Sequence, residues 1–355
     1  MAQTLDHGVN PMNLGKGDWI YQLGRAEARL GISSTQELVN YEAGLGMQWI
    51  TVKCADGADT NSWSQFNATL IAQAHAAGLK IFGWAYIYGG TNVPGEINAA
   101  LSSLDQGADG FIMDAESEYD ASGQSTAAQQ YCAGIRARYP NTFLAFAPIY
   151  DVVNVAQHPN FPATVFGRYC DAAMPQDYWQ YYGDTPPQMV ADMDTVWTTW
   201  QNGLTGTNRQ AIKPIIPIGQ SASLLGTEVA ADITDFVASL KGDKNPASAG
   251  GYHGVSFYSC QTRTTNMDLG IATAQFSNPV LPTPPQFKSI SMTSGGVVLD
   301  LAGQTNGNYA IDISSDLATW TPLFYFTMTS GDYQYLDNFS TNTGQIFYRV
   351  RLIYP

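Results

Sequence analysis

The sequence predicts an α/β protein, a (β/α)8 barrel followed by a small all-β sandwich. Eight short apolar runs recur through residues 1–278, and a segment with helical periodicity follows most of them. Several of these segments run into a glycine just before the next apolar run, which is typical of the turn from helix to strand in β–α units. Beyond residue 279 the helical periodicity stops and short alternating runs take its place. Eight repeats of this kind favour a closed barrel.

The elements of the barrel follow in chain order. The predicted strands are 19–23, 49–54, 81–88, 110–116, 143–147, 172–177, 215–219 and 254–259. The predicted helices are 35–45, 67–77, 93–104, 127–138, 163–169, 188–200, 228–240 and 267–275. An open, doubly wound sheet is the alternative architecture. Such sheets usually carry a Gly-rich phosphate loop after the first strand, and Leu14-Gly15-Lys16-Gly17 lacks that spacing.

The composition changes where the barrel is predicted to end. Residues 279–285 are rich in proline and predict a stiff, extended linker. Short alternating runs separated by turn residues then predict a small antiparallel sandwich over 286–355. These runs are 287–292, 296–301, 309–314, 323–327, 333–337 and 345–351.

The tail resembles a fibronectin-III-like module of the kind common at the ends of secreted bacterial hydrolases. The residues that carry this resemblance are 309–322 and the closing Phe347-Tyr348-Arg349-Val350. The resemblance implies a spacer or stability module and a secreted protein. Because the chain starts without an apolar signal segment, we expect such a segment to have been removed.

Charge and aromatic content narrow the class of ligand. The 355 residues carry a formal net charge of -14, which disfavours nucleic acid and anionic membrane surfaces as partners. No run of 18 apolar residues is present to span a membrane. Aromatic residues make up 12% of the chain, including 20 Tyr and 8 Trp, and several follow predicted strands. Such rings can stack on sugar faces, so we expect the ligand to be a neutral carbohydrate. We also expect the protein to be a monomer.

The cysteines and histidines predict neither a metal nor a cofactor. The four cysteines form no CxxC, and the four histidines show no HExxH spacing. An even number of cysteines permits two disulfides without requiring them. Cys132 and Cys170 fall on consecutive predicted elements, which makes them the more plausible pair.

The fourth predicted strand ends in two acids, Asp114 and Glu116. Barrel enzymes place their catalytic groups at the C-terminal ends of the strands. Because side chains alternate along a strand, both acids share one face with the apolar Ile112. Two carboxylates held this close repel each other, so one keeps its proton near neutral pH, as a general acid must. Glycoside hydrolysis uses such a pair.

The same segment carries a family resemblance. Residues 109–116, Asp-Gly-Phe-Ile-Met-Asp-Ala-Glu, resemble the DGxDxDxE motif of family 18 glycoside hydrolases, with Ile112 at the first inner Asp. The shorter DxE also resembles family 25 lysozyme-type hydrolases. The resemblance implies that Glu116 is the acid and that Asp114 orients the substrate N-acetyl group, whose oxygen is the nucleophile. Residues 174–178 are similar to the family 18 pattern M-x-Y-D-Y, with Gln176 at its Tyr.

Further binding residues are predicted from their positions at strand ends. They are Asp56, Tyr86, Tyr88, Glu118, Gln176, Asp177, Tyr178, Trp179, Gln220 and Tyr258. Of these, Glu118 is a second choice as acid or base. Alternation places Lys53 opposite to Asp56, and a salt bridge is its expected role.

These observations favour a glycoside hydrolase that cleaves a β-linked polysaccharide of the chitin, peptidoglycan or other β-glucan type, by retention. A barrel that binds carbohydrate without cleaving it, as lectins do, is the main alternative. A metal-dependent deacetylase is a third reading, but it would need a His-rich set at the strand ends.

Overall fold

One curled parallel sheet forms the barrel. The computed structural model describes residues 5–90, 92–222, 226–240, 252–276, 285–305, 307–317, 319–338 and 345–353. Its strands are β1 (Gly15–Ile20), β2 (Trp49–Asp56), β3 (Lys80–Tyr86), β4 (Gly110–Asp114), β5 (Phe143–Ala147), β6 (Ala172–Ala173), β7 (Gln176–Asp177), β8 (Ile218–Gln220) and β9 (Gly254–Tyr258). Their spatial order is β6-β5-β4-β3-β2-β1-β9-β8-β7. The predicted α/β barrel architecture is confirmed.

The sixth strand of the barrel is split into β6 and β7 around Pro175. Proline has no N–H group to donate to a neighbouring strand, so the ladder is interrupted there. Parallel bridges on either side pair Ala173 with Ile215 and Gln176 with Ile149. The first bridge joins β6 to the segment before β8, and the second joins β7 to the segment after β5. The split strand thus pairs on both sides, and the sheet closes on itself.

Helices surround the sheet. They are α1 (Leu23–Leu30), α2 (Thr35–Gly44), α3 (Ala68–Ala76), α4 (Val93–Asp105), α5 (Gln124–Arg138), α6 (Ala163–Tyr169), α7 (Trp179–Tyr182), α8 (Pro186–Gly203), α9 (Ala230–Ser239) and α10 (Thr265–Thr273). Side-chain caps start several of them: Ser34 accepts from the Glu37 N–H and Asn67 from the Leu70 N–H. The sequence did not predict α1 or the single turn α7.

Alternate strand side chains fill the barrel interior with large apolar groups. This inner cluster includes Trp19, Trp49, Phe82, Trp84, Ile112, Phe143, Ala145, Met174, Ile216 and Ile218. Trp49 lies against Gly17, where an added Cβ would be 2.0 Å from the indole. Only glycine leaves room for this ring at residue 17, and the first strand begins two residues earlier, at Gly15. The predicted start at residue 19 was wrong.

The C-terminal part forms two antiparallel sheets. Its strands are β10 (Gln286–Thr293), β11 (Gly296–Ala302), β12 (Asn308–Ser314), β13 (Thr321–Thr327), β14 (Asp332–Asp337) and β15 (Phe347–Ile353). The sheets have the orders β10-β11-β14 and β13-β12-β15, and they share a core that includes Leu299, Leu301, Tyr309 and Ile311. Contacts divide the chain so that Leu5–Pro279 is one compact unit and Val280–Pro355 belongs to a second. Except for Pro285, the predicted linker lies outside the described residues.

The four cysteines are buried free thiols, so the disulfide that the sequence permitted between Cys132 and Cys170 is not formed. The two thiols are nevertheless neighbours. Burial raises the pKa of Cys170 well above its usual range, and a hydrogen bond with Cys132 raises it further. Among the described residues, no helix has both the length and the apolar character needed to cross a membrane.

Candidate active site

The fourth strand carries two acids to the open end of the barrel. In β4, Ile112 belongs to the interior cluster, so Asp114, two residues later, also faces inward. Asp114 pairs with Tyr86 at the end of β3 and with Ala147 at the end of β5. Its side chain is buried, whereas Glu116, just beyond the strand, is half-buried. Both acids therefore lie at the C-terminal rim of the barrel, and we call them the acid pair.

One amide joins the acid pair across the mouth of the barrel. Gln176 Nε2 donates to Asp114 Oδ1 at 3.0 Å and to Glu116 Oε1 at 2.9 Å. The same nitrogen lies 3.3 Å from the Ala147 carbonyl oxygen. An amide nitrogen carries two hydrogens and accepts no bond, so Gln176 can only donate to the carboxylates here. Asp114 and Glu116 thus accept hydrogen bonds from the same side-chain nitrogen of Gln176.

The surroundings of Asp114 favour its protonated form. Burial raises the pKa of Asp114 well above its usual range, and the charge of Glu116 raises it further, while Lys53 and Gln176 act in the opposite direction. Since the two carboxyl groups are held close together by one donor, each disfavours a negative charge on the other. Asp114 therefore keeps its proton to higher pH than an ordinary aspartic acid does. The sequence argument placed this proton on Glu116, whereas burial favours Asp114 in the resting state.

A contact between an acid and a phenol flanks the acid pair. The Tyr86 hydroxyl donates to Glu118 Oε2, and Glu118 lies on a 3-10 turn over Ser117–Asp120. Burial raises the pKa of Tyr86, and the hydrogen bond to Glu118 and the charge of Glu116 raise it further. Tyr86 therefore remains a neutral donor beside three carboxyl groups.

Lys53 and Asp56 meet on the same side of β2. A bulge shifts the register between Lys53 and Ala55, so Cys54 has no counterpart on β3. With this extra residue, Lys53 Nζ donates to Asp56 Oδ2 at 2.6 Å. The expected salt bridge is present, but the expected opposite orientation of the two side chains was wrong. Asp56 Oδ1 also accepts from the Tyr88 hydroxyl at 2.6 Å.

Aromatic rings line the mouth next to the acids. Tyr258 ends β9, and its ring centroid lies 5.8 Å from that of Tyr178 and 6.5 Å from that of Trp84. Both tyrosines are half-buried. Burial raises the pKa of each phenol, and the charges of Asp114 and Glu116 add to the rise. Ring surface beside a carboxyl pair can pack against the C–H face of a sugar.

Two predicted binding residues point away from the mouth. Since Gln176 faces inward, its neighbour Asp177 faces the layer between sheet and helices and is fully buried. Burial raises the pKa of Asp177 well above its usual range, and Asp194 of α8 raises it further. The Trp179 ring packs 5.3 Å from Phe236 of α9. Asp177 and Trp179 were predicted as binding residues, but they belong to the core between the sheet and the helices.

Gln220 reaches the mouth, but its polar atoms are already bonded. Its Oε1 accepts from the Gln180 backbone N–H at 3.0 Å, and its Nε2 donates to Gln180 Oε1 at 3.1 Å. The side chain is buried. Gln220 therefore anchors α7 over the barrel, in place of the hydroxyl recognition that the sequence predicted.

Sequence reasoning missed several residues at this end of the barrel. The α7 turn brings Tyr182 within 4.8 Å of Tyr150, ring to ring, and both lie near acidic groups. Lys53 is enclosed by the rings of Tyr21 and Trp63. A cluster of tyrosines after a strand was a usable signal for Tyr182. The pairing of Lys53 with rings from two other segments had no local signal.

A buried group of potential metal ligands lies outside the acid pair. Among the described residues, Asp18, Glu42 and Cys260 could converge on one ion. The Arg263 guanidinium donates to Asp18 and, at 3.1 Å, to Glu42 Oε1. Because Arg263 already supplies the positive charge that these acids need, they form a structural ion network.

Comparisons with known proteins support the fold. No protein-family model matches the sequence, and no curated protein matches it. The chain is similar to a GH2 β-galacturonidase from Eisenbergiella tayi, with a TM-score of 0.50 and 10% identity, covering 75% of this chain and 52% of that chain. At this identity the likeness shows the fold alone.

Two further similar structures have TM-scores slightly below 0.50. One is the spore cortex-lytic enzyme SleL from Bacillus megaterium QM B1551, with a TM-score of 0.49 and 9% identity, covering 76% of each chain. The other is a chitinase from Bacteroides thetaiotaomicron, with a TM-score of 0.49 and 12% identity, covering 74% of this chain and 95% of that chain.

Proposed function

We propose that the barrel is a glycoside hydrolase that cleaves a β-linked polysaccharide of the chitin, peptidoglycan or β-glucan type. The observation that carries the proposal is the convergence of Asp114 and Glu116 on Gln176 Nε2 at the C-terminal rim. Glycoside hydrolysis requires two carboxyl groups, one that donates a proton and one that is charged. An acid pair that shares a single proton meets this requirement.

Glu116 is the general acid in this proposal. It is half-buried at the rim, where a bound substrate can reach it, while Asp114 lies deeper. The shared proton moves from Asp114 to Glu116, which donates it to the glycosidic oxygen as the bond from that oxygen to the sugar C1 breaks. The negative charge that remains on the acid pair stabilises the positive charge that develops on the sugar ring.

The buried position of Asp114 favours a substrate with a 2-acetamido group. Gln176 holds the Asp114 carboxylate in place, and burial disfavours its charged form, so it is poorly suited to attack C1. An acetamido oxygen can attack C1 instead, and this gives retention of configuration with Asp114 as the orienting group. Glu118, bonded to Tyr86, is a further carboxyl group that could activate water.

The charge and the rings of the mouth fit a neutral sugar polymer. The acids Asp56, Asp114, Glu116 and Glu118 give the mouth a negative potential that disfavours anionic substrates. The half-buried rings of Tyr178 and Tyr258 provide apolar surface next to the acids. Tyr86 and Tyr88 add hydroxyl groups at the rim, since each donates to an acid there.

The test is the release of reducing sugars from a panel of polysaccharides by Glu116→Gln. We expect the variant to fold normally and turnover to fall by about 100- to 10,000-fold, the usual contribution of a general acid. Glu27→Gln is the matched control. Glu27 lies on α1 and accepts a hydrogen bond from the Thr35 hydroxyl, and an amide oxygen at this position can accept the same bond. Unchanged turnover in Glu116→Gln would remove the proposed role.

The same panel separates hydrolysis from binding alone. A wild-type protein that binds a polysaccharide and releases no reducing sugar would be a carbohydrate-binding barrel. We further propose that the enzyme acts outside the cell, where such polymers lie, and that it acts as a monomer. The C-terminal unit is proposed as a spacer related to fibronectin-III-like modules.

A further inference from the structure

The α7 turn holds two tyrosine rings out of the protein at the edge of the mouth. Tyr181 is 73% exposed, and Tyr182 is exposed as well. The Tyr182 ring makes edge-on contacts with Tyr181, at 5.1 Å between ring centroids, and with Tyr150, at 4.8 Å. We call these three rings the platform. Single exposed rings are common on protein surfaces, whereas a cluster beside a candidate active site is typical of a binding surface.

The turn that carries the platform is fixed by its other residues. The Trp179 side chain is buried, and the backbone N–H of Gln180 donates to Gln220 Oε1 at 3.0 Å. The backbone N–H of Tyr181 donates to the Tyr178 carbonyl oxygen at 3.0 Å. Because these contacts fix the backbone of the turn, little conformational entropy is lost when a ligand packs on Tyr181.

Contacts connect the platform to the acid pair. Gln176, whose side chain donates to both acids, pairs with Ile149 across a parallel bridge. Its backbone N–H also donates to the Pro148 carbonyl oxygen at 2.9 Å. Tyr150 follows Ile149 directly, and its carbonyl oxygen accepts from the Trp197 indole N–H at 2.7 Å. The platform therefore lies beside the strand whose side chain joins the acid pair.

The platform also continues the ring surface of the mouth. The Tyr178 ring lies 5.8 Å from the Tyr258 ring. The Tyr178 carbonyl oxygen accepts from the backbone N–H groups of both Tyr181 and Tyr182, so the turn folds back on Tyr178. A ligand that covers Tyr178 and Tyr258 can therefore extend onto Tyr181.

The charges next to the platform disfavour an anionic occupant. Asp151 follows Tyr150 in the chain, and Asp184 lies two residues after Tyr182. Together with the acids of the mouth, these side chains give the surface a negative potential. A neutral sugar unit, which presents a face of C–H groups, suits exposed rings in such surroundings.

We propose that the platform is a subsite for a sugar unit that lies one or more units away from the bond cleaved, with Tyr181 packed against the face of that unit. This inference rests on the proposed function, because it extends the site in which the acid pair acts. A remote subsite contributes only when a chain is long enough to reach Tyr181 from the acid pair. The protein should therefore bind long chains more tightly than short ones.

Binding of sugar chains of increasing length tests the inference. Affinities for chito- and cello-oligosaccharides of two to six units are measured by calorimetry on full-length Glu116→Gln, called the parent, which retains the ligand uncleaved. In the series that binds better, adding Tyr181→Ala should lower the ratio of six-unit to two-unit affinity about 3- to 10-fold, the contribution of about one aromatic contact. Tyr181→Phe retains the ring and should keep the ratio of the parent.

Leu269→Ala in the parent is the matched control. It removes an apolar side chain that is 57% exposed on the outer helix α10, and the ratio should not change. Because Tyr181 is mostly exposed, Tyr181→Ala should unfold at the same urea concentration as the parent. An unchanged ratio in Tyr181→Ala, or an equal fall in Tyr181→Phe, overturns the inference. A parent that binds no six-unit chain of either series also overturns it.

A second copy of the chain is the other occupant that exposed rings could take. A wild-type dimer in analytical ultracentrifugation that Tyr181→Ala dissociates would overturn the inference. Failure of the proposed function is seen separately. A wild-type protein that releases no reducing sugar, while the ratio still depends on Tyr181, would refute hydrolysis and support the platform as a binding subsite.

Discussion

Replacing Gln176 by leucine should make the stability of the barrel depend more strongly on pH. Leucine is close to glutamine in size but cannot donate a hydrogen bond. The change removes the donor that Asp114 and Glu116 share, at 3.0 and 2.9 Å, and leaves both carboxyl groups facing an apolar side chain. The free energy of unfolding should therefore fall.

The size of the loss follows from the charge of the acid pair. A hydrogen bond to a charged group contributes about 1.5–3 kcal/mol, and one to a neutral group about 1 kcal/mol. The acid pair carries a charge near neutral pH and little charge in acid. We expect Gln176→Leu to reduce the free energy of unfolding by about 2–3 kcal/mol at neutral pH and by about 1 kcal/mol when both acids are protonated.

The sign agrees with the raised pKa of Asp114. A carboxyl group whose folded pKa lies above its unfolded value of about 3.9 binds more protons in the folded state. The stability that this proton contributes is complete below the unfolded pKa and is lost as pH rises through the folded pKa. Gln176 lowers the pKa of Asp114, so removing it extends the loss to higher pH.

Urea unfolding at about pH 3, which lies below the ordinary pKa of a carboxyl group, and at about pH 8 measures the effect. Seven of the eight tryptophans precede residue 201, so tryptophan fluorescence follows the barrel. Gln129→Leu, at an exposed position of α5, is the matched control and should stay within about 0.5 kcal/mol of the wild type. Equal destabilisation by Gln176→Leu at both pH values would refute the assignment of a shared, charged acid pair.

Three further predictions concern other parts of the barrel. Tyr86→Phe removes the donor to Glu118 and should lower kcat/KM about tenfold on the best polysaccharide, since about 1.4 kcal/mol is lost; an unchanged value would place Tyr86 outside the site. Trp84→Ala empties part of the inner cluster and should lower the free energy of unfolding by about 3–5 kcal/mol in urea, whereas a loss below about 1 kcal/mol would contradict its core position. A thiol reagent should react slowly with the folded protein, because Cys132 and Cys170 are buried thiols, and should count four thiols in denaturant; a count of two would indicate a disulfide.

The sequence could predict the barrel and the acids at its rim because both depend on local periodicity. The β–α order follows from apolar runs and helical segments along the chain. The step of two residues from Ile112 to Asp114 fixed the inner face of β4 once its end was known. Gln176 was predicted from its position at the end of the sixth strand, and it proved to be the residue that joins the acid pair.

The rest depended on contacts between distant segments. Alternation assigned Lys53 and Asp56 to opposite faces, and only the bulge in β2 brings them together. The same rule of alternation predicts that Asp177, next to the inward-facing Gln176, lies in the outer layer. The sequence analysis instead predicted Asp177 as a binding residue, because it lies at a strand end. Gln220 accepts a hydrogen bond from the backbone N–H of Gln180 in α7, and no periodic pattern in the sequence predicted this helical turn.

The most direct test of the account is a crystal structure of the Glu116→Gln variant with a bound chito-oligosaccharide. The account predicts the scissile glycosidic oxygen within about 3 Å of the side-chain amide at position 116, with Asp114 facing the acetamido group and a sugar ring on Tyr178 or Tyr258. An oligosaccharide whose glycosidic oxygens all lie away from position 116, or a mouth from which the sugar is absent, would contradict it.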